Sequence, residues 1–172
     1  YIYSPYKSLV MPNDKKVTQT GAFTVNNFPG GTFDNVILEA TKGGSIHVTG
    51  QLIVNDELTI VADHSGTILL PAKVSCGRVK IHCSYSSTVN SNDLEVTDSP
   101  SATIPKPFVV NADHASTCGL YTVISGGQLN GSVQSTSTVN LYADIPSSVK
   151  ISDQIRCDHT SDYTRRGWSG PQ

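Results

Sequence analysis

Alternation of apolar and polar residues, without a sustained helical stripe, constrains this chain more than any other feature. Ile46 and Val48 share a side, as do Leu52 and Val54, Leu58 and Ile60, Val79 and Ile81, Leu94 and Val96, Val139 and Leu141, and Val149 and Ile151. Successive side chains on a strand point to opposite faces, so each pair marks the buried face of a strand. The runs are rich in Val, Ile and Thr and end at Gly, Asn, Asp, Ser or Pro, which is the composition of short strands. The best helix window, 148–155, carries neither a stripe nor caps. The expected fold class is all-β. The 172 residues suit one core and no linker divides them, so residues 1–172 are expected to form a single domain.

Two patterns bear on architecture. Ile46, Leu52 and Leu58 stand six apart. Turns at Thr49-Gly50-Gln51 and Asn55-Asp56-Glu57 would make an antiparallel meander, whereas short faces winding in one sense would make a parallel β-solenoid. A shift of 50 residues also brings 58–90 onto 108–140. Ala62-Asp63-His64 then meets Ala112-Asp113-His114, and Ser87-Thr88-Val89-Asn90 meets Ser137-Thr138-Val139-Asn140. Thr67, Leu70, Ser75 and Gly77 meet Thr117, Leu120, Ser125 and Gly127. Related units between divergent flanks suit a solenoid, whose end coils are atypical. A β-solenoid-like repeat scaffold is therefore the first expectation, an antiparallel β-sandwich or jelly roll the second and a β-trefoil the third. On the repeat reading, Asp63 and Asp113 occupy equivalent turns.

Charge narrows the partners. The formal net charge is −2, which excludes the basic face that a nucleic-acid partner requires. No apolar run approaches the length of a membrane-spanning helix. Only 15% of residues are charged, against about 25% in ordinary soluble domains, and Ser, Thr, Asn and Gly make up the difference. Such a hydroxyl-rich surface points to an extracellular or cell-surface protein. The four cysteines, Cys76, Cys83, Cys118 and Cys157, include no CxxC pair and are expected to form two disulfides. Cys76 and Cys83 are not expected to bond each other. Seven strand steps of about 3.3 Å separate them by roughly 23 Å, while a disulfide needs Cα atoms within about 7 Å. Asn130-Gly131-Ser132 is the one glycosylation sequon, with Asn130 as acceptor.

Three Asp-His pairs are the conspicuous chemical feature: Asp63 with His64, Asp113 with His114, and Asp158 with His159. Imidazole and carboxylate can ligate a divalent ion. Neighbouring residues of a strand diverge, however, so each pair serves one ion only within a turn. The segments Asp63-His64-Ser65-Gly66 and Asp113-His114-Ala115-Ser116 look like Asx-type turns, and the turn reading is preferred to a metal site. No GxSxG, HExxH, Walker or dinucleotide motif occurs. No catalytic residue and no cofactor is expected.

The ends differ from the middle. Tyr1, Tyr3 and Tyr6 crowd the first residues, and Trp168, the only tryptophan, stands in the last stretch. Extended termini over 1–12 and 160–172, carrying such interface-prone side chains, suggest contact with other copies of the chain. The reading that follows is an extracellular structural or interaction protein that self-associates into a filament, coat or surface layer. The alternative is a glycan-binding module, favoured where aromatic side chains cluster on one folded face. A polysaccharide-directed enzyme stands third.

Overall fold

The computed structural model describes residues 13–98, 101–104, 106–124, 128–133, 138–144 and 150–151, with side chains up to residue 119. Among these residues every regular element is a strand: β1 (Lys15–Thr20), β2 (Val25–Phe28), β3 (Gly31–Phe33), β4 (Val36–Thr41), β5 (Ser45–Val48), β6 (Leu52–Asp63), β7 (Thr67–Leu69), β8 (Val74–Cys83), β9 (Thr88–Asn90), β10 (Leu94–Val96), β11 (Phe108–Ala112), β12 (Thr117–Ile124), β13 (Gln128–Val133), β14 (Thr138–Asp144) and β15 (Lys150–Ile151). All strand pairs are parallel. The chain is a parallel β-solenoid whose coils present three strand faces.

Register shows the winding. On the first face Lys15 pairs with Val36, Val36 with Leu58, Leu58 with Val79, Val79 with Phe108, Phe108 with Leu129 and Leu129 with Ile151. Each step is 21 or 22 residues except Val79 to Phe108, which is 29. The 50-residue shift read in the sequence therefore spans two coils, one ordinary and one long. Residues 49–51 separate β5 from β6, whereas 55–57 lie within β6, where register shifts between Val54 and Glu57 as the strand passes from the third face to the first; both are solenoid corners and neither is a hairpin turn. The chain continues in the same sense after them, and strands pair with the next coil instead of folding back.

The core consists of columns running along the axis. Val36, Leu58, Val79 and Phe108 form one, and Leu38, Ile60, Ile81 and Val110 the next; all are fully buried or nearly so. A third column, at the edge of the face, is small: Ala40, Ala62, Cys83 and Ala112. The second face contributes Ile46, Ile68, Val89 and Cys118. The third contributes Val54, Cys76 and Val96.

These columns correct the disulfide expectation. Cys76, Cys83 and Cys118 are buried free thiols. Each occupies a position that Ala, Val or Ile fills in neighbouring coils, and there it acts as a small apolar residue. Cys76 and Cys83 both lie in β8. The Cys76 thiol is pushed up to about 12 by burial and by the nearby Asp98 and Glu95 carboxylates. Cys83 is lowered, chiefly by its hydrogen bond with Cys118; that bond and burial push Cys118 up. Cys157 lies outside the described residues.

Candidate functional site

The Asp-His pairs define the corner between the first and second faces. Two consecutive residues there adopt the left-handed conformation in coil after coil: Lys42 and Gly43, His64 and Ser65, Tyr85 and Ser86, His114 and Ala115. The Gly66 amide closes its corner on the Asp63 carbonyl at 3.1 Å. Left-handed backbone is costly for residues with a Cβ. Hydrogen bonds between coils offset that cost: the Ser65 amide donates to the Tyr85 carbonyl, and the Ser86 amide to the His114 carbonyl, both at 2.9 Å. Asp63 and Asp113 thus stand at corresponding corners two coils apart, with Ser84 at the corner between them.

Because the corners superpose, the side chains that follow them stack. The Tyr85 ring lies 4.6 Å from the His64 ring and 4.2 Å from the His114 ring, near parallel to both. Each imidazole Nδ1 is 3.0 Å from the carboxylate of its own aspartate. An ionised carboxylate only accepts, so Nδ1 carries the proton and Nε2 is the unprotonated nitrogen of the neutral ring. Asp63 also accepts from the Ser84 hydroxyl at 2.8 Å and from the His64 amide at 2.9 Å. Burial raises the Asp63 pKa, but the hydrogen bonds from Ser84 and His64 outweigh it and hold the carboxyl below its ordinary 3.8.

This geometry decides what the pairs can do. His64 and His114 face opposite sides of the Tyr85 ring, so one ion cannot reach both at coordination distance. Among the described residues, no three His, Cys, Asp or Glu side chains converge on a point suitable for a metal. Ser84 donates to Asp63 instead of to an imidazole, which is the wrong order for a serine nucleophile. The Asp-His corners form a structural ladder. Asp158, His159, Tyr1, Tyr3, Tyr6 and Trp168 lie outside the described residues. Asn130 is in β13, in register with Val109.

Beside the ladder lies a feature that the sequence reading missed. Phe23 is 98% exposed, and Val25 and Tyr85 are about half exposed. Phe23 and Val25 line a shallow groove of about 820 Å³ on the second face, together with Lys42, His47, His64 and Thr67. Tyr85 continues the line one coil beyond His64. Three of the four large exposed apolar side chains among the described residues therefore follow one edge; Ile37, on the first face, is the exception. Along the same face run Ser45, Thr67, Thr88 and Thr117, in register with one another. The sequence signal was the outward parity of Val25, Ser45, Thr67 and Thr88.

Compared with models of known protein families, with curated proteins and with solved structures, the chain matches none. Fold and site define its class as a parallel β-solenoid with a lateral aromatic and hydroxyl-rich edge.

Proposed function

We propose that this solenoid is a glycan-binding module that works outside the cell or at its surface. The observation that supports this reading most is the clustering of Phe23, Val25 and Tyr85 along one edge of the folded scaffold, beside Lys42, His47 and His64. A pyranose ring has an apolar C–H face and a rim of hydroxyls. The open face of Phe23 suits the first through its negative quadrupole; Lys42, His47, His64 and the threonine row suit the second. Tyr85 is not a stacking platform, since both its faces are covered by imidazoles; it offers its edge and hydroxyl. Binding of neutral oligosaccharides, followed by calorimetry on the full chain, tests this. Phe23→Ala is expected to weaken binding at least tenfold without lowering the melting temperature. No binding to any neutral polysaccharide, or unchanged affinity in Phe23→Ala, would remove the reading.

Self-association remains the second reading, and a different observation favours it. Among the described residues β1 pairs with β4 alone, and the end of the stack carries a hollow of about 390 Å³ lined by Lys15, Val17, Asn27 and Phe28. An unpaired strand edge is a template for another strand, and a head-to-tail contact of that kind extends into a filament unless it closes as a ring. A monomeric mass at millimolar concentration would exclude it.

A further inference from the structure

The long step from Val79 to Phe108 has its extra chain in one place, between Val96 at the end of β10 and Phe108 at the start of β11. The connection is tied at both ends to the coil before it. The amides of Thr97 and Asp98 donate to the carbonyls of Cys76 and Gly77 at 3.0 and 2.9 Å, and the Pro107 carbonyl accepts from the Val79 amide at 2.8 Å. Within it, the Ser101 amide bonds the Ile104 carbonyl at 2.8 Å and the Ser101 hydroxyl caps the Ile104 amide at 3.0 Å. The other coils stack without such a segment, so packing does not require it. Closing Ser101 onto Ile104 costs conformational entropy, and insertions in solenoids collect on the face that binds.

The insertion forms one wall of a cleft of about 610 Å³. Thr103, Ile104 and Lys106 come from the insertion, while Arg78, Lys80 and Val109 come from the first face and its corner. Glu57, also in the lining, accepts from Arg78 Nε at 3.1 Å and lies 3.7 Å from Lys80 Nζ. One carboxylate among three cations leaves an excess of positive charge, in a chain whose net charge is −2. With Nε bound to Glu57, the terminal nitrogens of the guanidinium still carry the paired donors that match a carboxylate or phosphate. Ile104 and Val109 supply an apolar flank. The volume is that of a site for an organic molecule and much exceeds what a bare inorganic ion needs.

We propose that this cleft binds a small organic oxyanion: a carboxylate or phosphate ester on a compact body with one apolar side. The test is an NMR titration of the full chain with glucuronate, glucose 6-phosphate, glucose and inorganic phosphate. Glucuronate or glucose 6-phosphate should give saturable shifts at the amides of Ile104, Lys106 and Val109, and the tighter of the two identifies the anionic group. Glucose should give none, and inorganic phosphate should bind at least tenfold more weakly. The double variant Lys80→Ala with Lys106→Ala should lose at least tenfold in affinity; if it does not fold, Lys106→Ala alone should lose a measurable part. Absence of saturation, equal binding of glucose or of inorganic phosphate, or full affinity in the lysine variants would overturn the proposal.

Discussion

Two corners of the same solenoid follow opposite rules. At the first, between faces one and two, the chain turns the same way in four successive coils, through paired left-handed residues, and His64, Tyr85 and His114 stack in line. At the second, between faces three and one, register slips between Val54 and Glu57, and later the connection from Val96 to Phe108 swells by several residues. The first corner holds coils in register. The second interrupts the repeat and makes the cationic cleft. In a stack of similar coils, repetition marks what carries the fold, and a departure from repetition marks a place that the fold does not need.

Substitutions can break this comparison in order of size. Phe108 re-enters the core where the insertion ends and pairs with Val79. Phe108→Ala should cost about 3–5 kcal/mol, read by denaturant unfolding; a loss below 1 kcal/mol would mean that the core does not continue past the insertion. Tyr85→Ala removes both ring contacts at the regular corner and should cost about 1–2 kcal/mol. No loss there would make the ladder ornamental.

Acid offers a milder probe. The folded-state pKa of Asp63 is depressed, so its contribution to stability is fully present above its ordinary 3.8 and is lost as pH falls through the folded value. Asp63→Asn should therefore be less stable than the parent at pH 6 and lose less of its stability between pH 4 and pH 2. Parallel stability curves would show that Asp63 does not hold the corner. The smallest effect is a gain. Ala115 has φ of 61°, a conformation that glycine adopts freely. Ala115→Gly should raise stability by about 0.5–1 kcal/mol, whereas a loss would place the cost of the corner elsewhere.

Much of the core was legible. Ile46, Val48, Leu52, Val54, Leu58, Ile60, Val79, Ile81, Leu94 and Val96 are all buried, as their alternation requires. The direction of winding was not, because Asn, Asp, Gly and Ser serve hairpin turns and solenoid corners alike, as at 49–51 and 55–57. The spacing of Ile46, Leu52 and Leu58 was the coil itself, seen on three successive faces. The cysteines were read by number when they should have been read by parity. Cys76 follows Val74 by two, and Cys83 follows Ile81 by two, which assigns both to the inner face without any bridge. The stacking of Tyr85 between two histidines had no local signal, since it depends on coils of unequal length bringing 64, 85 and 114 into line. The cleft was hidden for the same reason: Arg78, Lys80 and Lys106 meet only across an insertion.

The contrast between the corners is tested most directly by excising residues 99–106, which returns the 29-residue step from Val79 to Phe108 to the 21 residues that separate Leu58 from Val79. The shortened chain should keep its β-sheet circular dichroism and melt within a few degrees of the parent, while its affinity for whichever of glucuronate and glucose 6-phosphate the parent binds more tightly disappears. Unfolding of the shortened chain, or undiminished anion binding by it, would contradict the account.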